Sequence, residues 1–252
     1  MSTMPPRVIV VPGPEDVAAA ARALVLEGER EALARSGMFR VALAGGSTPR
    51  RLYELLAASP DADFANWHVF FGDERWVPAD HLDSNARMAR EALLDRVAIP
   101  HQQVHAIDTS AGSPARAACL YAMTLRRKLA PAPGELPRFD LVLLGLGADG
   151  HTASLFPGSS ALVAAAADLA VATWAEGAGA WRVTLTAGVL GAARAVVFLV
   201  SGADKAEALR RVLGSDGTDE PPAALVRPSA GSLTFVVDEA AAARAGSEPP
   251  AA

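Results

Sequence analysis

The chain has 252 residues, 51% hydrophobic and 20% charged, with both signs scattered along it and a formal net charge of −5. That is enough chain for one large domain with its own core, and the negative balance argues against whole-surface attraction to nucleic acid or an anionic membrane. A single cysteine, Cys119, excludes a disulfide framework, and no apolar run reaches the roughly 18 residues a membrane span needs, since the longest weakly polar stretch, ALVAAAADLAVATWA, is broken by Asp168.

The opening stretch, MSTMPPRVIVVPGPED, has an apolar run too short for a secretory signal and no cleavage pattern, so a cytoplasmic protein is expected. Short apolar runs then recur at 7–11, 39–44, 67–72, 139–146, 182–186, 195–200 and 233–238. Stretches with helical spacing follow or separate them at 15–36, 49–58, 84–96, 114–130, 187–193, 203–214 and 238–245. The strands read as continuous apolar runs, as a sheet covered on both faces requires, and their alternation with helices implies right-handed crossovers in a parallel sheet. Cys119 falls in the helix 114–130 and is expected to be small and buried. The Pro/Gly clusters at 131–137 and 214–222 are loops, no linker or repeat is visible, and about 246–252 has the composition of a frayed tail. One α/β domain over 1–252, with room for a small subdomain, is the economical reading.

In such a sheet, ligands bind outside the carboxyl ends of the strands. Four of those ends carry glycine beside polar or ionisable residues: Gly45-Gly46-Ser47-Thr48-Pro49, Gly72-Asp73-Glu74-Arg75-Trp76, Gly147-Ala148-Asp149-Gly150-His151 and Ser201-Gly202-Ala203-Asp204-Lys205. The first is a buried strand, a double glycine and a helix start. Glycines admit a ligand close to the backbone, Ser47 or Thr48 can cap the helix, and its first amides attract an anion. It is not a P-loop, because the Gly-Lys-Ser/Thr ending is missing. The alternative is a capped helix after a tight turn.

In the second loop, three successive charges must be solvated, paired or facing a ligand. Arg75 could meet an oxyanion or phosphate and Asp73 could bind hydroxyls; the alternative is a surface salt-bridge cluster under Trp76. Asp83 or Ser84 is expected to cap the helix that Asn85 opens. The third loop contains Gly145, Gly147 and Gly150 in a G-x-G-x-x-G pattern, yet only HTASLF separates it from Pro157-Gly158. A dinucleotide needs a long helix there and an acid ending the next strand, whereas Asp168 precedes its apolar run. What remains is a turn presenting Asp149 and His151, an imidazole able to take a proton from water with a carboxylate able to fix its tautomer. His68, His81, His101 and His105 show no ligand spacing, so no metal site is expected, and no G-x-S-x-G elbow supports a serine triad. Only Lys128 and Lys205 among 23 basic residues are lysines, a weak hint that an ammonium is wanted at either.

The stretches LAGGSTPRRLYELL, FFGDERWVPADHLDSN, LVLLGLGADGHTASLFPG, WRVTLT and SGADKAEALR, in this order from about 39 to about 238, closely resemble the 6-phosphogluconolactonase family within the glucosamine-6-phosphate deaminase/6-phosphogluconolactonase superfamily. The resemblance implies a Rossmann-like α/β fold with a mainly parallel sheet and helices on both faces. It implies hydrolysis of 6-phosphoglucono-1,5-lactone to 6-phosphogluconate in the oxidative pentose phosphate pathway, without metal or organic cofactor. His151 matches the family's general base and Asp149 its neighbour. Ser47, Thr48, Arg182 and Lys205 match positions that hold the substrate phosphate, beside Gly45 and Gly46, and Arg75 matches an arginine near the lactone. Asp73 and Asn85 match hydroxyl-binding or loop-organising positions. The expected partner is therefore a small sugar-phosphate lactone, with no nucleic acid and no membrane, acting on a monomer or small homo-oligomer.

Two other functions fit the pattern less well. Glucosamine-6-phosphate deamination, in the sister branch, uses a glutamate five residues after the loop histidine, where this chain has Phe156, and a tyrosine where Arg75 stands. A non-catalytic sugar-phosphate sensor would be expected to lose the histidine and to carry a DNA-binding segment.

Overall fold

The computed structural model describes residues 5–165, 167–214 and 220–245. The stretch expected to fray, 246–252, lies outside the described residues, as does 215–219 within the expected loop 214–222. The strands are β1 (Arg7–Val11), β2 (Phe39–Leu43), β3 (Trp67–Phe71), β4 (Asp73–Arg75), β5 (Leu141–Gly145), β6 (Ala170–Ala175), β7 (Ala180–Leu185), β8 (Ala195–Val200) and β9 (Ser232–Asp238). The helices are α1 (Pro14–Ser36), α2 (Ser47–Ala57), α3 (Asn85–Ala89), α4 (Pro114–Leu129), α5 (Ala187–Gly191), α6 (Ala206–Leu213) and α7 (Glu239–Ala242). The helix expected over 84–96 is shorter than its pattern: α3 passes into a π-helical turn over Arg90–Leu94.

Six strands form one parallel sheet in the order β1-β9-β8-β5-β2-β3, flanked by helices. Its central strands are buried on both faces, as the successive pairs Val41 and Ala42, Leu143 and Leu144, Phe198 and Leu199, and Val236 and Val237 are. β1 departs from this. It reads as a buried run, but it is an edge strand, and Val8 and Val10 face outward. The chain steps outward from β2 to β3, then restarts on the other side of β2 with β5 and continues through β8 to β9. The order therefore reverses between β2 and β5, and a crevice opens there at the carboxyl ends.

The expected run 182–186 does not join this sheet. It is β7, the centre of a separate antiparallel sheet in the order β4-β7-β6. Alternation of strand and helix misassigns it because both its partners are hard to see: β4 is three charged residues and β6 is alanine-rich, a poor β-former. The second sheet is tied to the first where the Leu185 N–H donates to the Gly72 carbonyl (2.8 Å).

Two buried tyrosines fix the strand ends that carry the loops. The Tyr53 hydroxyl, from α2, accepts from Ala44 N (2.9 Å) and donates to Ala44 O (2.8 Å) at the end of β2. The Tyr121 hydroxyl, from α4, does the same at Phe71 on β3, at 2.8 and 2.9 Å. Each satisfies a backbone pair that would otherwise be unpaired where the ladder stops. Burial pushes both phenols well above their ordinary pKa, so both remain O–H donors. Cys119 is exposed, contrary to expectation: it lies on α4 away from the buried side made by Ala117, Ala118, Tyr121, Ala122 and Leu125.

Candidate active site

Past β2 the chain turns at Gly46, which precedes the first turn of α2 with φ of 108°. Neither Ser47 nor Thr48 caps this helix, contrary to the sequence expectation, because Gly46 occupies the cap position and Ser47 is already helical. Their hydroxyls instead line a cavity of about 290 Å³ together with Gly45, Gly46, Asn85, Lys205, Arg75 and His151. The Lys205 ammonium reaches it from the loop after β8 and pairs with the Asp204 carboxylate (2.9 Å). A helix start, two hydroxyls and an ammonium make an environment for a tetrahedral anion.

The loop after β5 carries His151. Its Nδ1 lies 2.5 Å from Asp149 Oδ1, and its backbone N–H donates to the same oxygen (3.1 Å). With the carboxylate ionised, this contact places the proton on Nδ1 and leaves Nε2 as the basic atom. Burial pushes the Asp149 carboxyl up, but the hydrogen bonds from the His151 backbone and ring, with attraction to that ring, outweigh it and hold it below the usual 3.8. Two of the glycines here, Gly147 and Gly150, are required by close packing of the loop itself. A Cβ on Gly147 would lie 2.0 Å from His151 Nδ1, and one on Gly150, whose φ is +87°, would lie 2.6 Å from the Pro221 side chain. No helix follows Gly150; the chain makes an isolated bridge between Thr152 and Leu155 and then a turn in which the Phe156 ring packs 4.7 Å from the imidazole.

Opposite stands β4. Asp73 is buried, with Oδ2 accepting from the Ser154 hydroxyl (2.6 Å) and Oδ1 from Asn85 Nδ2 (3.2 Å). Glu74 points to the other face and is a scaffold. Its Oε1 accepts from Arg75 N (2.8 Å) and Asn85 N (2.7 Å), and its Oε2 accepts from Ala86 N (2.7 Å) and the Ser84 hydroxyl (3.1 Å). Ser84 also caps α3, its oxygen accepting from Arg87 N. The three charges are therefore neither a surface cluster nor equivalent: one carboxylate faces the cavity, one holds the loop, and Arg75 lies directly across from Arg182 on β7.

A second cavity, about 780 Å³, continues from the first and shares Asp73, Arg75, His151 and Ala153 with it. Arg182, Ser154, Phe156, Ser159, Thr173 and Trp174 line this larger part and not the smaller. The structure thus brings His151, Asp149, Arg75 and Asp73 to one junction and Gly45, Gly46, Ser47, Thr48 and Lys205 to one side of it. Arg182 stands on the other side. Sequence reasoning missed Glu74 as the loop anchor, Ser154 as the partner of Asp73, and Ser159 and Thr173, and it placed Ser201 at a ligand-binding strand end without a role. The last three, with Asn85, have buried side-chain oxygens without a hydrogen-bond partner, and all four residues line the two cavities. Unpaired buried acceptors or hydroxyls gathered around a cavity are what a polar ligand would satisfy. Isolated serines and threonines carry no sequence signal; the only available hint was the near-symmetry of TWAEGAGAW about its glycines, which marks a hairpin with Trp174 opposite Trp181. Among the described residues, no group of three or more His, Cys, Asp or Glu is placed to hold a metal ion, and no helix is long and apolar enough to cross a membrane.

Comparison with known proteins shows the family of the chain. A 6-phosphogluconolactonase of Nostoc sp. is 42% identical over 233 residues, covering 91% of this chain and 95% of that protein. The human 6-phosphogluconolactonase is 40% identical over 208 residues, 81% of this chain and 80% of its own length. The solved structure of the 6-phosphogluconolactonase from Trypanosoma cruzi superposes with a TM-score of 0.86 at 31% identity, over 98% of this chain and 100% of that one. The family described as glucosamine-6-phosphate isomerases/6-phosphogluconolactonase matches residues 12–235, and the chain belongs to that family.

Proposed function

We propose that the chain hydrolyses 6-phosphoglucono-1,5-lactone to 6-phosphogluconate in the cytoplasm, with His151 as the general base. The observation that carries this reading is the place of the His151–Asp149 pair, at the junction between an anion-binding cradle and a polar cavity. The phosphate sits on the α2 start with Ser47, Thr48 and Lys205, which orients the lactone so that C1 faces Nε2. Nε2 takes a proton from water as it attacks C1. The Arg75 guanidinium faces the oxyanion that forms, and the imidazolium returns its proton to the ring oxygen as the C1–O5 bond breaks. Asp149 holds the ring and stabilises its charged form. Water supplies the only other atoms, so the reaction needs no cofactor.

The sister reaction is disfavoured by Phe156, whose ring packs on His151 where that branch uses a glutamate. The test follows lactone, generated in place by oxidation of glucose 6-phosphate, to 6-phosphogluconate, and in parallel measures ammonia from glucosamine 6-phosphate. Lactone loss no faster than the spontaneous rate, or ammonia release, overturns the proposal. Lys205→Ala is expected to raise KM by about 10- to 100-fold, the worth of a charge-assisted hydrogen bond, with a smaller effect on kcat. An unchanged KM removes Lys205 from the phosphate site.

A further inference from the structure

The small antiparallel sheet places three side chains in one row facing the larger cavity. Arg75 pairs with Arg182 across β4 and β7, and Arg182 pairs with Thr173 across β7 and β6, so all three project from the same face. Like charges directly opposite each other destabilise a sheet. Burial and the neighbouring Arg75 both loosen the proton on Arg182, and Asp73, Asp83 and Glu74 offset this only in part. The Asp73 carboxylate already accepts from Ser154 and Asn85. Arg75 uses one nitrogen on the Asp83 carbonyl (2.7 Å), which holds its guanidinium in place. Thr173 is fully buried and its hydroxyl has no partner; the buried Ser159 hydroxyl, also on this cavity, has none either. The cavity therefore holds planar cationic donors and spare hydroxyls, short of one acceptor group with negative charge.

The smaller cavity already offers a cradle for a tetrahedral anion, built from helix amides, hydroxyls and an ammonium. Guanidinium forks match a flat, two-oxygen acceptor. In lactone hydrolysis the neutral lactone has no such group and the product has one, at C1. Ring opening also frees C1 to move away from the C6 phosphate, so the acid can reach further than the lactone. With C1 attacked at His151, between the two cavities, the new carboxylate arises beside the arginine row.

We infer that Arg182 and Thr173, together with Arg75, form a carboxylate subsite for the aldonic acid product, separate from the phosphate cradle. This rests on the lactone hydrolysis proposed above, and it gives Arg182 a role other than the phosphate contact that family resemblance implies. The subsite makes the enzyme favour phosphosugars that end in a carboxylate over those that end in an alcohol.

The test is calorimetric binding of 6-phosphogluconate and of glucitol 6-phosphate, which has the same carbon chain and phosphate but a C1 alcohol. Arg182→Gln is expected to weaken the acid by about 10- to 100-fold and the alcohol by less than about threefold. Thr173→Val, which keeps shape and β-propensity, is expected to weaken the acid alone by about 2- to 10-fold. Lys205→Ala should weaken both equally. Parallel loss of both ligands in Arg182→Gln returns this residue to the phosphate and overturns the subsite, as does unchanged affinity for both in Arg182→Gln and Thr173→Val. Lactone turnover by the unsubstituted protein is measured on the same preparation. Selective loss of the acid without any turnover would retain the subsite and reject the hydrolysis, whereas turnover with unselective loss would do the reverse.

Discussion

Replacing His151 with alanine is expected to lower kcat on the lactone by about 10²- to 10⁴-fold, the usual worth of a positioned general base, with KM little changed. The split follows from where the residue stands. The groups that would hold the phosphate, Ser47, Thr48 and Lys205, come from the loops after β2 and β8, while His151 comes from the loop after β5. Removing the imidazole leaves their geometry in place and removes only the proton acceptor. Asp149→Asn is a sharper probe of the same arrangement. An amide keeps the size of the side chain but can donate to Nδ1, which would shift the ring proton to Nε2 and leave no basic atom facing the substrate. Its kcat should fall while its melting temperature stays near that of the unsubstituted protein. Near-normal turnover in His151→Ala, measured against the spontaneous hydrolysis rate, would mean that another group activates the water.

The residues behind this prediction were readable from the sequence because parallel strands buried on both faces leave unbroken apolar runs. The carboxyl ends of such runs are then where chemistry collects, and the loops bearing Ser47, Asp73, His151 and Lys205 all sit at such ends. The second sheet was not readable, for a physical reason. The strand Asp73–Arg75 has the composition of a solvated turn, and only pairing with β7 makes it a strand. Ala170–Ala175 is half alanine, with Val171 and Thr173 its only β-branched residues, and it continues an alanine-rich stretch, so its composition does not mark it off as a strand. Whatever depends on that sheet was hidden with it, including the opposition of Arg75 and Arg182 and the inward hydroxyl of Thr173. The capping role expected of Ser47 or Thr48 failed on a single residue: Gly46 takes the cap position, and the hydroxyls are left for the cavity. Burial of Cys119 was overestimated because a lone cysteine in an alanine-rich helix gives no indication of which face it takes.

Glu74→Ala is expected to lower the melting temperature by about 6–12 °C, although Glu74 touches neither cavity. The side chain is 2% exposed, and its two oxygens accept three backbone N–H groups and one hydroxyl. Alanine leaves those donors buried and unpaired, and one such group costs about 1–3 kcal/mol. Water entering the space left by the side chain satisfies part of the set, and a net loss near 3 kcal/mol corresponds to that shift, at about 2–4 °C per kcal/mol in a domain of this size. The same change frees the segment from Arg75 to Ala86, so kcat/KM should fall with stability as Arg75 and Asn85 lose their fixed positions. Glu74→Gln separates charge from shape. Burial raises the Glu74 pKa above its ordinary 4.5, and the backbone hydrogen bonds from Ala86, Asn85 and Arg75 reverse this only in part. A carboxyl with a raised folded-state pKa binds its proton more tightly folded than unfolded, so stability declines as pH rises from 4.5 through the raised value. The glutamine variant has no such group. Its stability relative to the unsubstituted protein should therefore improve as pH rises through that window, read as the difference between two urea midpoints at each pH. A difference that stays constant with pH would show that folding leaves this carboxyl's proton affinity unchanged, and a melting temperature that Glu74→Ala leaves untouched would show that it does not hold the loop.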